Sequence, residues 1–95
     1  MTAPGLLGEE IKPRFAAHVR FKFDRRRGHW VVLAPERLLV PDEHSVEILQ
    51  RCTGEATLAD IIDQLSVEFD APRVEIADDV LALVGDLADK GILAL

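Results

Sequence analysis

From His18 the side chains alternate. Val19, Phe21 and Phe23 fall on one face and His18, Arg20 and Lys22 on the other, the two-residue period of a half-buried strand. The polar stretch DRRRG that follows predicts a reversal, with Gly28 free to take a positive φ and three arginines keeping the loop in water. HWVVLA is β-branched and aromatic, a second strand antiparallel to the first. Ala34, Pro35 and Glu36 turn the chain again, and Arg37 to Val40 make a third strand that stops at Pro41, which has no N–H to give to a ladder.

After Pro41 the period becomes 3.6. Asp42 is placed to cap a helix with Val46, Leu49 and Cys52 inward and Gly54 at its end. Thr57 and Asp60 have the spacing of a capping box, with Asp in place of Glu. They open a second helix that runs to about Phe69, with Leu58, Ile61, Ile62, Leu65 and Phe69 on its apolar face. Pro72 opens a third helix and Gly91 closes it, after which Ile92 and Leu93 pack back as a short end piece. The apolar positions of the third helix cover about half of its wheel, more than the roughly 100° that one buried stripe needs. Either two layers touch that helix or part of its width lines a groove. Residues 1–14 show no sustained period and carry two prolines and two glycines, which predicts a flexible arm ahead of a domain at 15–95.

Composition narrows the possibilities. The 95 residues are 48% hydrophobic and 29% charged, a balance that builds a core and is not that of a disordered tail. No apolar run reaches the roughly 18 residues of a membrane span, and no basic-then-apolar signal opens the chain, so a cytoplasmic protein without membrane contact is expected. The single cysteine, Cys52, excludes an internal disulfide and a cysteine-based zinc cluster, and reads as a buried structural thiol. His18, His29 and His44 are scattered without helical partners, which argues against a metal site. There is no phosphate loop, nucleophile elbow or Ser/His/Asp arrangement, and nothing asks for a cofactor. The chain does not read as an enzyme. Trp30, among valines, reads as an anchor between layers.

The net charge of −6 conceals a division. Residues 1–41 hold eight Lys and Arg against four acids, whereas residues 42–95 hold three against thirteen. Only the first part can attract an acidic partner, and Arg25, Arg26 and Arg27 are the candidate contact, their alternative being a solvated turn. The predicted fold is α+β: a three-stranded antiparallel sheet followed by a three-helix bundle, winged helix-turn-helix-like. That fold raises DNA binding or plain oligomerisation as an alternative function. A third helix flanked by Glu75, Asp78, Asp79, Asp86 and Asp89 would repel phosphates, so no nucleic acid is expected.

Three segments, VRFKFDRRRGHWVVLAPERLLV, EILQRCTGEATLADII and DDVLALVGDLADKGIL, together resemble the coenzyme PQQ (pyrroloquinoline quinone) biosynthesis protein D family, whose members are related to the peptide-recognition elements of ribosomally made, modified peptides. The resemblance runs from about Pro13 to the end and rests on the order and spacing of Pro35-Glu36, Gly54, Thr57 and Asp79-Val80 through Gly91. Thr53 stands where the family more often has Asp, and Pro41 where an aliphatic residue is common. The resemblance implies a non-catalytic chaperone that binds the PQQ precursor peptide. It would present that peptide to the pathway's radical SAM enzyme, which cross-links a Glu and a Tyr within it. It also implies that the peptide joins the sheet as an extra strand beside the third strand, over the third helix.

The residues support strand addition independently of the resemblance. An edge strand offers unpaired backbone groups for affinity, and alternate side-chain pockets give specificity. The expected peptide contacts are Arg37, Leu38, Leu39 and Val40 on the edge, with Ile76, Val80, Leu83 and Leu87 flooring the groove. Which margin of the third helix faces the groove stays open. The same edge suits a second copy of the chain, so the expected state is a monomer or a weak edge-strand dimer.

Overall fold

The structure, a computed structural model, describes residues 8–95. The elements run β1 (Arg14–Phe15), β2 (Arg20–Asp24), β3 (His29–Ala34), β4 (Arg37–Leu39), α1 (Glu43–Leu49), α2 (Leu58–Glu68), α3 (Arg73–Asp89) and β5 (Leu93–Ala94). β2, β3 and β4 form the expected antiparallel meander in that order, and three helices follow it, so the fold is the predicted α+β, winged-helix-like arrangement. The first strand starts at Arg20, two residues later than the alternation suggested, because the Val19 N–H is already bonded to the Ala16 carbonyl in a turn.

Local chemistry fixes the reversals. Between β2 and β3 the Asp24 carboxylate accepts the N–H groups of Arg26 at 3.0 Å and Arg27 at 3.2 Å, and Gly28 takes the positive φ of 75° that ends the loop. Between β3 and β4 the loop is only Pro35-Glu36, with Glu36 at φ 59°. Proline followed by a left-handed residue is the type II pattern, here with Glu where glycine is usual. Asp42 caps α1 by accepting the Ser45 N–H at 2.8 Å. The Thr57–Asp60 capping box of α2 is complete in both directions.

The core lies between the helices and one face of the sheet. Leu58, Ile61 and Ile62 of α2 and Val80 and Val84 of α3 are sealed from solvent, joined by Ile48, Leu49 and Cys52 from α1 and its exit and by Val19 and Val32 from the sheet side. Burying each large aliphatic side chain contributes roughly 1.5–3 kcal/mol, while an exposed ion pair contributes about 1 kcal/mol at most, so this cluster decides the stability. Arg51 links α1 to α2, reaching Glu68 at 2.7 Å and the Glu47 carbonyl at 2.7 Å.

Several local expectations are corrected. Of the expected arm at 1–14, residues 1–7 lie outside the described residues, and residues 8–14 are strapped across the helices. Ile11 and Glu9 carbonyls accept the first N–H groups of α2, from Leu58 at 2.8 Å and Ala59 at 2.9 Å, and the Pro13 carbonyl accepts from Gly54 at 2.9 Å. Arg73 then clamps Glu9 at 2.8 Å and Asp63 at 2.6 Å. β1 pairs antiparallel with β5, which the end piece at Ile92-Leu93 did not reveal. α1 ends at Leu49, short of Gly54, and Ile48 rather than Val46 takes the inward place. Gly54, at φ 86°, instead lets the chain pass Arg14, against which an added Cβ would stand at 3.3 Å. Phe69 terminates α2 and is exposed, and Phe23 stands outside the core.

Candidate functional site

The sheet order leaves β2 and β4 as edges, and among the described residues no further strand pairs with either. β4 is the more apolar of the two. Leu38 and Val40 are 54% and 55% exposed, Arg37 is exposed, and Leu39 turns inward against the core. The register pairs Arg37 with Ala34, Leu38 with Leu33 and Leu39 with Val32. A two-residue hairpin loop closes on a hydrogen-bonded pair, and such pairs alternate along an antiparallel ladder. The N–H groups of Arg37 and Leu39 therefore face β3, and the N–H and carbonyl of Leu38 face outward. Leu38 is thus both the most available backbone unit and an exposed apolar side chain.

The four residues of α3 expected to floor a groove divide. Ile76 and Leu83 are half-buried at the margin of the core, whereas Val80 and Leu87 belong to the core itself, at 0% and 5% exposure. α3 packs mainly on α2 and β5, and β4 is not among its principal neighbours. Edge and helix are separate surfaces joined through the start of α1.

A feature that the sequence did not single out lies at that junction. A pocket of about 360 Å³ opens between α1, α2 and α3, walled by Ile48, Leu65, Ile76 and Val80, with His44, Glu75 and Asp79 at its margin. The His44 and Phe69 rings meet edge to face across its mouth, with centroids 6.1 Å apart. The exposed Phe69, an aromatic at the C-terminus of a helix whose Leu58, Ile61, Ile62 and Leu65 are buried, was the available signal in the sequence.

The remaining candidates are simpler. Arg25, Arg26 and Arg27 are exposed on the β2–β3 loop, and only Arg27 is held, loosely, by Asp24 at 3.5 Å. The N–H donors of Arg27 and Arg26 hold the Asp24 carboxyl below its ordinary pKa, so it stays ionised and keeps the loop shaped. Trp30 is a half-buried anchor stacked on Phe21 at 4.7 Å, which in turn stacks on Phe15 at 5.3 Å. Cys52 is buried, its thiol pushed up to about 12 by desolvation, with Sγ 3.4 Å from the Ile48 carbonyl, which suits a core residue and not a nucleophile. Thr53 accepts the Glu55 N–H at 3.3 Å and bridges to Arg14. Among the described residues no group of three His, Cys, Asp or Glu could hold a metal ion, and no helix is long and apolar enough to cross a membrane.

With this geometry in view, comparison with known proteins gives one result. The family described as Coenzyme PQQ synthesis protein D (PqqD) matches residues 29–93. A PqqA binding protein of Rhodopseudomonas palustris (strain TIE-1) is 53% identical over 87 residues, covering 92% of this chain and 85% of that protein. A PqqA binding protein of Gluconobacter oxydans (strain 621H) is 41% identical over 91 residues, covering 96% and 95%. Among solved structures, the solution structure of the PqqD truncation of Methylobacterium extorquens PqqCD, a functional and stand-alone recognition element for ribosomally synthesized and post-translationally modified peptides, superposes with a TM-score of 0.78 at 33% identity, over 97% of this chain and 98% of that one. The crystal structure of PqqD from Xanthomonas campestris superposes with a TM-score of 0.60 at 39% identity, over 94% and 99%.

Proposed function

The chain belongs to the coenzyme PQQ synthesis protein D family, and on that premise we propose that it is a non-catalytic chaperone for the PQQ precursor peptide. It takes the peptide as a fourth strand on β4 and presents it, in the cytoplasm, to the radical SAM enzyme of the same pathway. The observation that carries this reading is the β4 edge: a strand whose central residue turns both its backbone groups and an apolar side chain to solvent. The names of the relatives, PqqA binding proteins, and the recognition-element role of the Methylobacterium structure support the same partner.

An amide-resolved NMR titration with the precursor peptide tests the reading. The Leu38 N–H should gain protection from exchange, with shifts through Arg37 to Val40 and in side chains of α3 such as Ile76 and Leu83. Shifts confined to β2 or α2, with β4 unmoved, would reject strand addition. Random duplex DNA at low salt should not bind, because Glu75, Asp78, Asp79 and Asp89 line the exposed flank of α3.

A further inference from the structure

We infer that the pocket between α1, α2 and α3 is a specificity site for the bound peptide, accepting one apolar side chain that has a lysine or arginine next to it. This rests on the peptide-binding reading above and adds a sequence requirement to it. A peptide paired to β4 runs out of ladder at Pro41, where the chain stops offering N–H groups and turns into α1. The first turn of that helix carries His44 to the margin of the pocket, so peptide that continues past Pro41 and along α1 comes to it. The walls, Ile48, Leu65, Ile76 and Val80, suit an apolar side chain, and a space of about 360 Å³ admits a side chain but not a folded partner.

The charge at the margin sets the neighbour. Elsewhere on the helices Glu47 and Glu68 are compensated by Arg51, Asp63 by Arg73 and Asp86 by Lys90, whereas Glu43, Asp60 and Asp89, away from the pocket, make no ion pair among the described residues. At the pocket margin, Glu75 and Asp79 are exposed and make no ion pair among the described residues. An apolar cleft bordered by uncompensated carboxylates favours a ligand that is apolar at its tip and cationic beside it. Basic residues on the β4 side, Arg37 above all, leave the acidic margin of α3 as the place where a peptide cation gains most.

The test is calorimetric titration with the precursor peptide and with a version in which its Lys and Arg residues are Gln. Ile76→Ala should weaken the native peptide about tenfold by removing apolar contact. Asp79→Lys should weaken it about tenfold at low salt and less at high salt, since the site is open to screening. With the Gln version, Asp79→Lys should have no further effect, because the partner charge is already gone. Both variants change residues at the surface or its margin, and circular dichroism checks their folding. If both bind the native peptide at full strength while the Leu38 amide still responds, the pocket is not a recognition site and strand addition stands. If the peptide moves neither Leu38 nor Ile76 in the unaltered chain, both readings fall.

Discussion

Two short strands at the periphery of this molecule are finished in opposite ways. β1 is only two residues long, yet it is held on both sides: it pairs with β5, Arg14 bridges to Thr53, and the strap leading to it satisfies the start of α2 and the N–H of Gly54. β4 is scarcely longer, has among the described residues a partner on one side only, and turns Leu38 and Val40 to solvent. Both are apolar segments next to helices. The difference is that distant parts of the chain return to cover β1, and none of the described residues returns to cover β4. Among the described residues one edge is closed and the other open, and the proposed strand addition uses the open one.

The comparison can be broken most severely on its closed side. Leu58→Ala removes a fully buried side chain at the point where the strap meets α2, and should lower unfolding free energy by about 2–5 kcal/mol in urea titration. A loss below 1 kcal/mol would mean that the strap region is not part of the cooperative core. On the open side, Leu38→Pro should reduce peptide affinity by roughly thirtyfold with little change in stability, because it removes an outward donor and no donor of the β3–β4 ladder. Leu38→Ala keeps the donor and should lose several-fold less. Equal losses for the two variants would make Leu38 a side-chain contact only.

Smaller changes sharpen the contrast. Thr57→Ala deletes half of the capping box and should cost about 1 kcal/mol of stability without touching affinity. Replacing Arg25, Arg26 and Arg27 together by Ser should weaken association with an acidic partner at low salt only, since exposed charges are screened over about 8 Å at physiological ionic strength. An unchanged low-salt affinity would leave that loop as a solvated turn. Cys52 offers a pH signature of the closed core. Its folded pKa lies above the ordinary 9.0, at about 12, so the neutral thiol is favoured in the native state. Its contribution to stability is therefore complete below pH 9 and declines as pH rises from there toward 12. Urea midpoints at pH 8 and pH 10.5, compared with Cys52→Ala, should show a steeper fall for the native chain.

Much of this was legible in the sequence, for identifiable reasons. The meander followed from a strict two-residue period at 18–23 and from a Pro-Glu turn, and α2 from a capping box, because each signal lies within a few residues of what it determines. The strap was not legible. Pro13 and Gly8 read as breakers in a flexible arm, and only the distant Leu58, Gly54 and Arg73 give residues 8–14 their order. The exit of α1 was misplaced because Gly54 looks like a helix stop, whereas its positive φ serves a close approach to Arg14 some forty residues earlier. At the site, the β4 edge was readable from Arg37 to Val40 and Pro41, but not the phase of its N–H groups, which needed the register. Of the apolar positions of α3, Val80 and Leu87 are core, while Ile76 and Leu83 are half-buried at its margin.

The pairing of Arg14 with Ala94 closes a loop of about 80 residues for a ladder two residues long. Loop closure on that scale is entropically expensive, and a ladder so short returns little by itself. The pair should therefore form late in folding, after the helices have brought both ends of the loop together, and open early in hydrogen exchange. During synthesis the constraint is sharper. The strap can engage α2 and Thr53 once they have emerged, but β1 lacks its ladder partner β5 until Leu93 has cleared the ribosome, whereas β4 and its turn are complete long before. The edge proposed to take the peptide would then exist on the nascent chain before the domain can close behind it.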